Sequence, residues 1–108
     1  MSFQSVNLSQ SKESRLARAI SALPSGANVT RCEKLSKASD SFGYCTNGLK
    51  FIVSYLTCVA FEAAGTSYRV ARGTYGRTTE STIRESGYGN APELPSDEFQ
   101  QKLKSYFE

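Results

Sequence analysis

The stretch from Ser41 to Arg72, SFGYCTNGLKFIVSYLTCVAFEAAGTSYRVAR, decides the fold class. Phe42 and Tyr44 stand two apart, Asn47-Gly48 follows, and Leu49 to Phe61 is rich in β-branched and aromatic residues. Asn-Gly suits a two-residue type I′ turn, in which both central positions need positive φ. Ser41–Thr46 and Leu49–Tyr55 are therefore expected to pair as a hairpin. Leu49 to Glu62 is long for one straight strand, and a bulge or bend at Ser54 to Thr57 would let it change direction. Ala63-Ala64-Gly65 then turns the chain. Thr66 to Arg72 alternates, with Tyr68 and Val70 on one face and Ser67, Arg69 and Ala71 on the other, which predicts antiparallel pairing with the segment before the turn. The expectation is a three-stranded antiparallel meander.

Working outward from this centre, the N-terminal side reads as a helix from about Leu8 to Leu23, with residues 1–6 flexible before it. Asn7 with Gln10 three residues on forms a capping box at its start. Leu16, Ala19, Ile20 and Leu23 recur at helical spacing, while Lys12, Glu13, Arg15 and Arg18 lie mainly off that stripe. Pro24, Ser25 and Gly26 stop the helix. Val29 to Leu35 alternates poorly and reads as a connector or a fourth, short strand.

On the C-terminal side, Gly73 and Gly76 bracket Tyr75 in a turn. Thr78 or Thr79 caps a short helix running to about Ser86, with Glu80 near its positive end. Ser86 to Pro95, with two glycines, two prolines and an asparagine, reads as a loop. Ser96 then caps a final helix whose apolar stripe is Phe99, Leu103, Tyr106 and Phe107. The class is α+β: an N-terminal helix, the meander, a short helix, and a C-terminal amphipathic helix packed on the sheet.

At 108 residues the chain has the length of a single domain. Hydrophobic residues at 39% and charged residues at 21% place it among folding chains rather than disordered ones. Thirteen basic against ten acidic residues leave a formal charge of +3, which permits nucleic-acid binding without demanding it. The most apolar run, Phe51 to Phe61, is interrupted by Ser54 and Thr57 and is too short to span a bilayer, so no membrane association is expected. Cys32, Cys45 and Cys58 cannot all pair and contain no C-x-x-C step. They suit a reducing, cytoplasmic setting and the role of small apolar residues on strands rather than a metal site.

The chain contains no histidine, which removes the commonest general base, the commonest metal ligand and every Ser-His or Cys-His nucleophile pair. The acidic residues are scattered, and Glu80, Glu85, Asp97 and Glu98 read as helix-end and surface charges. No enzyme activity, no cofactor and no metal is expected. Gly73-x-x-Gly76-Arg77-Thr78-Thr79 lacks the spacing and the Gly-Lys ending of a nucleotide-binding loop, although a helix start beside arginine and hydroxyls would suit a single anion. Basic and aromatic residues interleave nearby. Arg69, Arg72, Tyr75, Arg77, Thr78, Thr79 and Arg84 form the candidate binding surface, with Tyr68 and Tyr88 at its margins. Tyr and Arg of this kind serve protein contact, nucleic-acid contact or an ordinary polar face.

Two segments carry a resemblance. Ser54-Tyr55-Leu56-Thr57-Cys58-Val59-Ala60, followed after one hairpin by Tyr75-Gly76-Arg77-Thr78-Thr79-Glu80-Ser81, resembles a small uncharacterised family found largely in bacteriophages. Its members look like S-Y-x-T-P-V-A, a turn, a second strand, then Y-S-x-T-T-S-K-H near a helix start. The similarity covers Phe51 to Ile83; Cys58 stands where the family has proline, Gly76 replaces a serine, and the lysine-histidine pair is absent. The resemblance implies strand-turn-strand-helix organisation and a phage or prophage origin, and brings no activity with it. The functional expectation is a non-enzymatic phage accessory protein in the host cytoplasm. It would bind a host macromolecule, a defence or gene-expression protein, as an inhibitor. The alternative is a small nucleic-acid-binding module. The stripe on the last helix would cover either its own sheet or a second copy in a homodimer.

Overall fold

In the computed structural model, which describes residues 14–108, the Asn47-Gly48 hairpin is present but its turn is of another kind. Only Gly48 has positive φ, at 86°; Asn47 does not. The Cys45 N–H donates to the Leu49 carbonyl at 2.9 Å and the Gly48 N–H to the Cys45 carbonyl at 2.9 Å. The loop is thus three residues long, with glycine in the left-handed position at its end. The Asn47 side chain takes the part its backbone declines: Oδ1 accepts from the Leu49 N–H at 3.1 Å, and Nδ2 donates to the Tyr106 carbonyl at 2.9 Å.

The expected meander of three strands, with a fourth in reserve, is too small. The sheet has six strands, β1 Val29–Lys34, β2 Asp40–Cys45, β3 Lys50–Ser54, β4 Thr57–Ala63, β5 Thr66–Val70 and β6 Glu93–Leu94, in that spatial order. Neighbours are antiparallel except β5 and β6, which are parallel, so the sheet is mixed and the fold is α+β. Three departures account for the count. The reserve segment is a full strand, β1, paired with β2 through a bulge at Val29/Arg31 that broke its alternation. The long segment from residue 49 to residue 62 does not bend; it reverses at Tyr55-Leu56, giving β3 and β4. A bulge at Ile52/Val53 puts Val59 out of step on β4. Finally, part of the loop at 86–95 becomes β6, because the Arg69 and Ala71 N–H groups donate to the Pro92 and Leu94 carbonyls at 3.0 and 2.8 Å.

The type I′ conformation expected at Asn47-Gly48 is met instead by the residues joining β4 and β5, where Ala64 and Gly65 have φ of 54° and 78°. Alanine in the left-handed region is strained by its Cβ. Ala64→Asn, which restores the preferred Asn-Gly pair, is expected to stabilise the fold by about 0.5–1 kcal/mol in chemical denaturation.

Helices cover both sheet faces. Strand register aligns Gly43, Phe51, Phe61 and Tyr68 in one row, and Phe42, Ile52, Ala60 and Arg69 in a row on the other face. On the Phe61 face lies α3, Ser96–Ser105, with Phe99 at 5.3 Å and Tyr106 at 5.7 Å from the Phe61 ring. Phe99 and Leu103 are fully buried, and Tyr106 and Phe107 pack partly buried at the helix exit. Its stripe therefore closes on its own sheet. Ser96 is the first helical residue and Pro95 holds the cap position expected of Ser96; the Phe99 N–H donates to the Pro95 carbonyl.

The N-terminal helix, α1, is described over residues 14–22; its start, with Asn7, Gln10 and residues 1–6, lies outside the described residues. It sits on the same face, where the Cys32 thiol reaches the Arg15 carbonyl at 3.9 Å. Of its apolar stripe, Ala19 and Leu23 are buried, whereas Leu16 and Ile20 remain 40% and 52% exposed. Among the described residues no helix is long and apolar enough to cross a membrane.

The opposite face carries α2, Arg77–Glu85, which is polar along most of its length. It docks through hydroxyls as much as through Ile83. Thr79 Oγ1 and Ser54 Oγ are 3.0 Å apart, and Thr82 Oγ1 donates to the fully buried Asp40 carboxylate. Such buried polar contacts are stable because each group is paired; an orphaned one would cost about 1–3 kcal/mol.

Candidate functional site

The helix α2, the segment 71–76 that leads into it and the segment 86–91 that leaves it together position the candidate surface. Gly76 occupies the α2 cap position with φ of −76°, and no side chain caps the helix. Neither Thr78 nor Thr79 takes the expected capping role. Thr78 lies inside the helix, where its carbonyl accepts from Thr82 Oγ1 at 3.0 Å, and Thr79 faces the sheet.

Arg69 occupies the centre of this surface but is not exposed. Its position on β5 faces α2, and it is 1% accessible. Its guanidinium donates through Nε to the Val70 carbonyl at 2.8 Å, through Nη1 to the Gly89 carbonyl at 3.4 Å and through Nη2 to Glu80 Oε2 at 2.5 Å. Arginine suits a buried pair of this kind because its fork spreads one charge over several directed donors. Arg69 thereby ties the sheet, α2 and the Gly89 loop together. Glu80, read from sequence as a helix-end charge, is the acidic half of that pair.

Four of the remaining arginine and threonine positions stay outside. Arg72 donates through Nη2 to the Gly89 carbonyl at 2.8 Å and pairs with Glu93 at 3.3 Å, while Glu93 also accepts the Arg72 backbone N–H at 2.7 Å. Arg77, Thr78 and Arg84 are exposed on α2. Among the described residues Arg77 and Arg84 have no carboxylate within ion-pair distance. Tyr75 is half-buried and packs against the core.

Two clefts meet along α2. The first, of about 470 Å³, is lined by Arg69, Arg72, Glu80, Arg84, Gly87, Gly89 and Asn90. The second, of about 650 Å³, is lined by Tyr75, Gly76, Arg77, Glu80, Ser81 and Arg84. Glu80 and Arg84 line both, so the clefts adjoin along one edge of α2, and the pair is called the groove. Arg69, Arg72, Tyr75, Arg77 and Arg84 are brought to it, and Thr78 and Thr79 are not. Glu80, Ser81, Gly87, Gly89 and Asn90 are not among the binding residues expected from sequence. In the sequence the two glycines mark only a loop; the walls they form depend on how 86–91 folds back over β5.

No protein-family model, curated protein or solved structure matches the chain. The surface is therefore interpreted from its chemistry.

That chemistry is mainly charged and polar. At the far end of α2, Glu85 accepts from Ser36 at 2.8 Å and from Lys37 at 3.2 Å, and the hydrogen bonds from Ser36, Lys37 and Ser81 hold its carboxyl below the ordinary range. This network closes α2 onto the β1–β2 turn and leaves Glu85 occupied. Tyr88 is buried and donates to Glu62 at 2.8 Å; burial first, and then Glu62, push its phenol above the ordinary value. Neither group stands in the groove.

The cysteines lie on strands, Cys45 and Cys58 buried and Cys32 half-buried, and all three are free thiols. Burial raises each of them, Cys58 to about 12. Since the thiolate is the reactive form, an alkylating reagent at pH ~8 is expected to modify Cys32 slowly and spare Cys45 and Cys58 until the chain unfolds. Mass spectrometry of the labelled peptides checks this. Among the described residues no cluster of cysteine and carboxylate side chains has the arrangement of a metal site.

Proposed function

We propose that this chain is a non-enzymatic accessory protein that acts by binding a partner protein through the α2 groove. The observation that carries this reading is the pair of exposed arginines, Arg77 and Arg84, without an ion-pair partner among the described residues, standing on a groove whose floor is fixed by the buried Arg69–Glu80 bridge. Arginine is enriched among the residues that carry the energy of protein contacts, because its planar fork directs several donors at one partner. The absence of histidine from the whole chain favours binding over acid-base chemistry. The similarity of Phe51 to Ile83 to a phage-encoded family favours a partner in a bacterial host, a defence or gene-expression protein met in the cytoplasm and inhibited by the complex.

The test is affinity capture from bacterial cells after nuclease treatment, comparing the native chain with one carrying Arg77→Glu and Arg84→Glu. Both positions are exposed, so the variant is expected to fold, which circular dichroism checks. A protein held by the native chain and lost from the variant supports the reading. Capture that is identical for both chains, or absent from both, contradicts it.

A further inference from the structure

The groove has a composition that selects among partners, and this inference rests on the protein-binding reading above. Four arginines, Arg69, Arg72, Arg77 and Arg84, line it against one glutamate, Glu80. Glu93 engages Arg72 from the side. The charge is thus positive, and along α2 it stands at Arg77 in the first turn and at Arg84 in the last, where Arg72 lines the same cleft. In between stands Glu80, which spends one carboxylate oxygen on Arg69 and keeps its side chain 26% exposed.

We infer that the groove receives an acidic peptide segment, with carboxylates at its ends meeting Arg77 and Arg84 and its backbone passing over Glu80. A peptide carries both kinds of group this surface needs. Its carboxylates accept from the arginine forks, and its N–H groups donate to Glu80. A nucleic-acid strand fits less well. Its evenly spaced phosphates would run past the Glu80 carboxylate. Among the described residues the groove wall carries one aromatic, Tyr75, half-buried against the core, whereas a single strand is held by a succession of rings on which its bases stack.

The experiment is fluorescence anisotropy with three labelled probes: a Glu/Ser peptide, the same peptide with its serines phosphorylated, and single-stranded DNA of equal charge. The chain is tested with Arg77→Glu, with Arg84→Glu, and with Lys104→Glu as a control for net charge on the opposite face. The expected result is saturable binding of the peptides, weakened about tenfold or more by either arginine reversal and little changed by Lys104→Glu. Tighter binding of the phosphorylated form identifies phosphate as the preferred anion on the same peptide class.

Stronger binding of DNA than of either peptide overturns the inference, as does equal weakening by all three reversals, which marks diffuse charge attraction. Absence of saturable peptide binding up to ~1 mM also overturns it. If that happens while a cellular protein is still captured and released by the arginine variant, the acidic-peptide chemistry falls and the binding function stands. If capture fails too, both fall.

Discussion

Gly43→Ala is expected to be among the most destabilising single substitutions in this chain, costing about 3 kcal/mol or more and leaving little folded protein at ambient temperature. A Cβ at Gly43 would sit 2.8 Å from the Arg31 carbonyl carbon and 2.7 Å from Cζ of Phe51, and would overlap the Arg31 carbonyl oxygen. Neither neighbour can yield cheaply. Arg31 is strand backbone at the bulge between β1 and β2, and Phe51 is fully buried beneath Phe61 in the same cross-strand row. The phenyl ring occupies the space that the missing side chain leaves, as an aromatic facing a glycine across a strand pair does. The comparison is Gly89→Ala, whose added carbon meets Arg84 at ordinary distances of 3.5 Å and beyond. That change is expected to stay within about 0.5 kcal/mol. Urea unfolding of the two variants checks both expectations.

Arg69→Met is expected to cost about 3 kcal/mol, because it leaves Glu80 beside a buried apolar side chain and strips the Gly89 carbonyl of a donor. The loss has a recognisable signature. Adding Glu80→Leu removes the stranded carboxylate and is expected to restore most of the stability, since a buried pair replaced whole by apolar groups is often neutral. Arg84→Ala, by contrast, removes an exposed guanidinium without an ion-pair partner among the described residues and is expected to leave stability unchanged. A double-mutant cycle by thermal or denaturant unfolding measures the coupling directly. Strictly additive effects at Arg69 and Glu80 would mean that the bridge does not organise the groove.

The two arginines show how far the sequence could be read. Alternation along Thr66 to Arg72 correctly separated Arg69 from Tyr68 and Val70, yet a period of two does not tell which face a helix will cover. The partner on that face is α2, whose sequence RTTESTIRE has one large apolar residue. Its docking rests on Thr79, Thr82 and Asp40, hydroxyl and carboxylate contacts that carry no periodic signal. Arg69 and Thr79 were therefore grouped with Arg77 and Arg84, although the first two point inward and the last two outward.

Strands were under-counted for a related reason. Tyr55 and Leu56 make a chain reversal without glycine, proline or asparagine, with Tyr55 at φ of 57° and its N–H donating to the Ser39 carbonyl at 2.9 Å. A long-range bond holds that turn, so local turn chemistry could not announce it. The two-residue β6 likewise exists only through its parallel pairing with Arg69 and Val70. The amphipathic stripe of α3, by contrast, was legible because its Phe99 and Leu103 anchors obey helical spacing and need no partner to be recognised. For α1 the same spacing overstated burial, since Leu16 and Ile20 stay exposed while Ala19 and Leu23 carry the contact.

The central claim is that function resides in the α2 groove and is read by charge. Its most direct test is two-dimensional amide NMR of the isotope-labelled chain titrated with the acidic peptide. Saturating shifts confined to Arg72, Arg77, Glu80, Arg84, Gly87 and Asn90, and abolished by Arg84→Glu, are the expected result. Saturating shifts centred elsewhere, on the β1 edge or on the exposed Leu16 and Ile20 of α1, would contradict the claim.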